Sequence, residues 1–439
     1  MTTRKSALLI VLIAVLLALG ALIWATRHPE IAPIARPNPA SFDRDLVKRG
    51  EKLAGIGNCH VCHTRPGGRP YAGGLALPTP FGVIHTTNIT PDPETGIGAW
   101  SEQAFIRAMH EGVDRSGRHL YPAFPYDFFA KVTETDLRAI YAYLMTRDPV
   151  SQKAPDNSLS FPFNIRLLLA GWNFLFLERG EFQPDPSKDQ EWNRGAYLVE
   201  GLGHCGACHA PRNRFGAAPK TGPDAYGGGE AEGWYVPPLN AVTPAPILWT
   251  QKSLVNYLID GWDAQHGIAA GPMIAVANDL YEQSEDDVFA MASYVMSLKG
   301  GARPQAEQVA VTAEATSFAM KREWGHPENP PIPDVPVIQR GARVFESQCA
   351  SCHKVGGLPA PLALSTVVNA PDASNLILVT FQGIRPPRGA LDRSMPARAI
   401  QISDDEMVAL AVFVRNRFSR RPAWVGVEET VRKVRAGSH

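Results

Sequence analysis

The pentapeptide Cys-x-x-Cys-His occurs three times in this chain of 439 residues: Cys59-His60-Val61-Cys62-His63, Cys205-Gly206-Ala207-Cys208-His209 and Cys349-Ala350-Ser351-Cys352-His353. Together they use all six cysteines. Two thiols about one helical turn apart can each form a thioether with one of the two vinyl groups on a porphyrin edge. The histidine that follows then lies under the iron as its proximal ligand. Competing readings fail on spacing. A disulfide within Cys-x-x-Cys is strained, and a chain this long has no need of staples. Zinc ribbons take two such pairs close in sequence, whereas these lie about 145 residues apart, outside the spacings of zinc sites. A thioredoxin-like redox motif has no reason to repeat with His following each time. The motifs predict three covalently bound haem c groups, attached through Cys59, Cys62, Cys205, Cys208, Cys349 and Cys352. His63, His209 and His353 are the expected iron ligands.

The length suggests about three domains, one per motif. Lys+Arg and Asp+Glu are both 43, so the formal charge is zero and nothing points to a nucleic-acid partner. Gly and Pro, 38 each, predict long defined loops. An unbroken apolar run from Ala7 to Ala25 follows Arg4 and Lys5. Its length suits a membrane-spanning helix and exceeds the usual apolar core of a cleaved signal. A small-residue cleavage site, Ala18-Leu19-Gly20, sits inside the run instead of after it, and the two basic residues favour a cytoplasmic start. Residues 1–25 are therefore expected to be a retained anchor, with a cleaved signal as the alternative. Either way the rest of the chain is exported to the periplasmic face of the bacterial inner membrane, which suits thioether formation.

The expected architecture is mainly α, in tandem domains. Residues 26–41, with four prolines, read as a stiff tether. A first domain spans 42–150, a hydrophobic linker 151–191, a second domain 192–299, a linker 300–336, a third domain 337–420 and a tail 421–439. Each domain begins with a helix running into its motif (43–57, 192–203, 337–348) and closes with another (133–147, 284–298, 403–417). Helices between them are expected at 101–112 and 250–261. Ser101 is a candidate N-cap, Thr133 and Asp136 form a capping-box pattern, and Leu137, Ile140, Tyr141 and Leu144 share an apolar face. Leading helix, haem motif, loop and closing helix, three times over, resemble the class I cytochrome c fold. Small residues just before the second and third motifs (Gly195-Ala196, Gly341-Ala342) would let leading and closing helices approach closely. The apolar stretch from Leu159 to Phe176 is too short to span a bilayer. It reads either as packing between the first two domains or as a surface for the membrane, a quinone or a partner.

A low-spin electron-transfer haem needs a second axial ligand, and Met raises its potential. Met273, in Ala270-Gly271-Pro272-Met273, and Met395, in Ser394-Met395-Pro396, precede the closing helices of the second and third domains and are the candidates. In the first domain Leu120-Tyr121-Pro122-Ala123-Phe124-Pro125 places Phe124, which cannot ligate iron, where the thioether is wanted. An open or water-bound iron, or ligation by His119, Met109, His110 or His85, are the alternatives there.

The segments Thr87-Asn88-Ile89-Thr90-Pro91-Asp92, Gly96-Ile97-Gly98, Tyr121-Pro122-Ala123, Arg194-Gly195-Ala196-Tyr197-Leu198-Val199, Cys208-His209-Ala210-Pro211-Arg212-Asn213 and Ala270-Gly271-Pro272-Met273 together carry a resemblance. The chain resembles, from about Arg44 to Phe418, the tri-haem cytochrome c subunits of membrane-bound periplasmic dehydrogenases of the alcohol, aldehyde and gluconate type. Many members have Met in the first Tyr-Pro-Ala loop, so Phe124 departs from the pattern. Pro162-Phe163-Asn164-Ile165-Arg166 with Ala170-Gly171-Trp172 is similar to the branch serving molybdenum hydroxylases and aldehyde dehydrogenases. The resemblance implies electron transfer without chemistry of the chain's own, from a catalytic subunit of molybdenum, quinoprotein or flavin type to ubiquinone or a terminal oxidase. No dinucleotide fingerprint or Walker loop argues otherwise. Alternatives are a peroxidase-like haem enzyme using an open first iron, or the cytochrome subunit of a terminal oxidase.

Overall fold

A computed structural model describes residues 27–240, 243–300 and 304–437. The predicted anchor lies outside the described residues, and no described helix is long and apolar enough to cross a membrane. The described chain divides into two compact units. One holds the residues through Ala54 and Cys59–Phe182; the other holds Gly55–Asn58 and everything from Gln183 on.

In the first unit α1 (Arg44–Ile56) is capped by Asp43, whose carboxylate accepts the N–H groups of Asp45 and Leu46. It leads into the short α2 (Cys59–Cys62). The hairpin β1 (Ala76–Thr79) and β2 (Gly82–His85) pairs Ala76 with His85. Helices α3 (Glu102–Glu111), α4 (Tyr126–Phe129) and α5 (Glu134–Met145) follow, then β3 (Ser158–Leu159) on the free edge of β2, and α6 (Leu168–Phe176). Ser101 caps α3, and the predicted apolar face of α5 is buried. Thr133 caps α5, and Asp136 of its first turn is shared with a distant helix. The Thr133 hydroxyl accepts the Asp136 N–H, and the Asp136 carboxylate lies 2.6 Å from Arg49. The residues expected to be a stiff tether lie along this unit: Ile31 N–H donates to Arg115 O, Arg107 to Pro29 O, and Arg115 to Glu30.

The second unit repeats the plan twice. Helix α7 (Gln190–Tyr197), capped by Asp189, widens into a π turn over Leu198–Leu202 that the periodicity did not predict. Then come α8 (Gly206–His209), the hairpin β4 (Gly229–Ala231) and β5 (Trp234–Val236), and α9 (Gln251–Asp260) with its Thr250–Ser253 capping box. The small hairpin β6 (Trp262–Asp263) and β7 (Gly267–Ile268) precedes α10 (Met273–Leu280) and α11 (Glu285–Leu298). The last part contains α12 (Gln305–Arg322), α13 (Pro336–Gln348), α14 (Thr366–Asn369), α15 (Ser374–Gln382), α16 (Asp404–Phe418) and α17 (Val427–Arg435). Its core reaches beyond 337–420: Ala319 and Phe318 of α12, Trp324, and Trp424, Val427 and Val431 of the tail pack with Phe345, Phe413 and Phe418. Burying Val427 and Val431 alone is worth about 1.5–3 kcal/mol each, so linker and tail are structural parts of this segment.

One contact recurs in all three copies. A Cβ on Gly50 would stand 1.9 Å from the carbonyl oxygen of Ala139; on Gly195, 1.9 Å from that of Ala290; on Gly341, 2.0 Å from that of Ala409. Leading and closing helices thus cross with backbone touching backbone, a crossing any larger side chain would prise open. The arginine before each glycine reaches the first turn of the closing helix: Arg49 to Asp136, Arg194 to Asp287, and Arg340, at 3.8 Å, to Asp405.

Candidate haem-binding centres

Each motif is folded into one helical turn. The histidine N–H donates to the carbonyl of the first cysteine over 3.0 Å (His63 to Cys59), 2.9 Å (His209 to Cys205) and 2.9 Å (His353 to Cys349). In the first two copies the residue before the first cysteine takes a left-handed backbone, Asn58 at φ 50° and His204 at φ 37°, which turns the chain sharply from leading helix to motif. No motif is closed as a disulfide.

The ring orientation of the histidines carries the chemistry. His63 Nδ1 lies 2.6 Å from Thr87 O, and His209 Nδ1 lies 2.7 Å from Pro237 O. A carbonyl can only accept, so Nδ1 carries the proton and Nε2 presents its lone pair, the tautomer a metal needs. The approach of Thr87 depends on Gly73, at φ 69°, where a Cβ would fall 2.4 Å from Thr87 O. The same glycine N–H ties back to His63 O, as Gly228 N–H does to His209 O. Desolvation lowers the pKa of all three motif histidines, that of His209 to about 4, so each ring is neutral near pH 7. Burial pushes the Cys205 thiol up to about 12 and that of Cys349 to about 11, so both are protonated near pH 7. Among the described residues no group of three or more His, Cys, Asp or Glu is placed to hold a metal ion.

A buried polar ring in the second copy supports the fit of a group from outside the polypeptide. His266 is stacked on Trp249 (centroids 3.6 Å apart, planes 8° apart), and neither ring nitrogen meets a protein partner. Desolvation lowers its pKa to about 4, against the opposing charge of Asp263, and Lys299 adds to the lowering at both His266 and His209. Buried rings of this kind ordinarily find partners, so this one marks a place for a polar group outside the polypeptide. Neutral Nε2 donors, adjacent thiols and this ring together fit a haem.

The segments expected to supply a second ligand differ between copies. Leu120 N–H bonds Gly112 O, and Ala269 N–H bonds Gly261 O, each just past an α3- or α9-type helix that ends at a left-handed glycine. Phe124 and Met273 each lie four residues beyond, so they share one register. Met273 is not in a loop as expected but opens α10. Met395 lies in a bridge with Ile384 (N···O 2.8 and 3.0 Å) and packs against Trp234, Leu378 and Val379. That is the ladder position of His119 and Ile268 in the other copies, not that of Met273.

The other first-copy candidates each have contacts of their own. His110 Nε2 lies 2.7 Å from Val132 O, His85 Nδ1 lies 3.1 Å from Asp156 O, and Met109 is buried in the core. His119 is buried edge-on against His28, 5.2 Å away. Phe124 rests on Phe129 and Tyr126. The arginine–aspartate pairs beside the helix crossings escaped the sequence reading, although the dipeptide Arg-Gly at 49–50, 194–195 and 340–341 signals them.

Comparison with known proteins gives concordant matches. The family described as "Cytochrome c" matches residues 47–148, and that described as "Cytochrome C oxidase, cbb3-type, subunit III" matches residues 336–414. The chain is similar to a subunit of the nicotinate dehydrogenase of Pseudomonas putida, 44% identical over 96% of this chain. It spans only about a third of that protein, 35%. It is 35% identical to the gluconate 2-dehydrogenase cytochrome c subunit of Pantoea cypripedii, covering 84% of this chain and 85% of that one. To the cytochrome c subunit of the quinone alcohol dehydrogenase of Gluconobacter oxydans it is 34% identical, over 90% of this chain and 83% of that one.

Proposed function

The chain belongs to the cytochrome c subunits of dehydrogenase complexes, and from that premise we propose that it carries electrons from a separate catalytic subunit, through three covalent haem c groups, to ubiquinone or a terminal oxidase. Haem c supplies reversible one-electron exchange at its iron. The chain's own residues supply attachment, orientation and tuning. Cys59 and Cys62, Cys205 and Cys208, and Cys349 and Cys352 hold the three groups. His63, His209 and His353 present Nε2, with Thr87 and Pro237 fixing the first two rings. Met273 and Met395 would supply a second donor atom to the second and third centres, and Phe124 offers the first centre none. The observation that carries the reading is the carbonyl lock on Nδ1 in two copies of one motif, each inside the same pair of crossing helices.

The higher identity to the nicotinate dehydrogenase protein than to the sugar-acid and alcohol dehydrogenase cytochromes supports a partner of the molybdenum branch, acting on nicotinate or a similar substrate. The apolar run at 7–25 supports a place on the periplasmic face of the inner membrane. The chain is no enzyme by itself in this account. Under anaerobic conditions the purified chain stays oxidised when nicotinate, gluconate or ethanol is added. In the complete membrane complex, the substrate of the catalytic subunit reduces its haems. Direct reduction of the isolated chain by any of these substrates would contradict the proposal.

A further inference from the structure

Helix α6 is turned inside out. Its inward face carries Trp172, buried against Tyr126 and Phe176, and Asn173, whose side chain accepts the Tyr126 hydroxyl and donates to Glu111 O. The opposite face carries Leu168, Gly171, Phe174 and Leu175, at the i, i+3, i+6 and i+7 spacing of one helical side. Phe174 is 89% and Leu175 65% exposed. The segment leading into the helix continues the row with Phe161, 80% exposed, and with Phe163, Ile165 and Leu167, all exposed. A soluble surface helix shows water its polar side; this one shows its greasiest side, and contiguous exposed apolar surface marks a binding face. From residue 159 to residue 177 the only charged side chain is Arg166. Its guanidinium is drawn inward, onto His119 O at 2.8 Å and over the Tyr121 ring.

Where the chain comes from decides what covers this face. His28, next to the first described residue, lies against Glu111 (3.8 Å) and against the ring of His119. Those are the two residues that anchor the apolar segment, through Asn173 on Glu111 O and Arg166 on His119 O. The chain that follows the apolar run Ala7–Ala25 in sequence thus enters the described structure beside the place where the exposed ridge is fastened. We propose that residues 161–175 lie in the interfacial layer of a phospholipid bilayer, with Phe161, Leu168, Phe174 and Leu175 inserted among the acyl chains. A short amphipathic element binds a bilayer in this way, its apolar face sunk to the level of the headgroup boundary. The inference deepens the reading of a membrane-associated electron carrier and rests on it.

The full haem-loaded chain, carrying Phe174→p-benzoylphenylalanine, is reconstituted in phosphatidylethanolamine–phosphatidylglycerol vesicles and irradiated. A second variant carries the label at Phe161. A third carries it at Val425, which is 94% exposed in the second unit. Mass spectrometry then identifies the adducts. Phospholipid adducts at 161 and 174, about tenfold over those at 425, are expected for side chains sunk in the interface. Equal lipid labelling at 174 and 425, or crosslinks from 174 to a second copy or, in native membranes, to a partner subunit, would overturn the proposal. The reduced haem spectrum of the same samples reports separately on the electron-carrier reading, so failure of one is distinguishable from failure of the other.

Discussion

Phe124 and Met273 hold one register with different chemistry: a thioether has a lone pair for iron, and a phenyl ring has none. In the proposed account the first centre keeps an exchangeable sixth position while the second is closed. Phe124→Met is expected to close the first. Carbon monoxide uptake by the reduced chain, followed by optical titration, should fall by about one equivalent per chain, because a second strong axial ligand blocks the position. Unchanged uptake would mean that another side chain already occupies it. The motif cysteines, their histidines and the Phe124–Met273 correspondence were legible in the sequence because their spacing is local and set by covalent or one-turn geometry. The ladder position of Met395 was not. It depends on how the longer loop between Ile384 and Met395 folds back, and no short-range pattern encodes that.

Five helices expected from the sequence begin at a residue whose side chain caps them. Ser101, Thr133, Thr250, Ser284 and Ser403 all cap as their sequence positions suggest. The Arg49–Asp136 ion pair was hidden, since the arginine comes from a distant helix. The crossing of leading and closing helices makes the sharpest claim at this scale. Gly195→Ala forces a methyl group into the carbonyl of Ala290 and should destabilise the second unit by about 1–3 kcal/mol, the usual cost of overpacking. Gly171→Ala, in an exposed stretch of α6 where the added methyl meets nothing within 4 Å, should be neutral or slightly stabilising, since alanine is the better helix former. Thermal unfolding of the two variants checks both; a Gly195→Ala protein as stable as the parent would refute the backbone contact.

Across the molecule, one helix-pair plan occurs three times, and the sequence announced the repetition through its motifs. Less legible were the parts whose role depends on long-range burial. The residues expected to be a tether lie along the first unit, and the third segment draws its core from the preceding linker and the C-terminal tail. The apolar stretch at 159–176 could be packing or surface on composition alone; only the placement of Trp172 and Asn173 inward and Phe174 outward separates the two. The central claim remains that three porphyrins are bonded to one polypeptide. The intact mass of the purified chain under denaturing conditions, which keep thioethers and strip any loosely held group, should equal the mature polypeptide plus three haems. A mass showing two, or none, would contradict it.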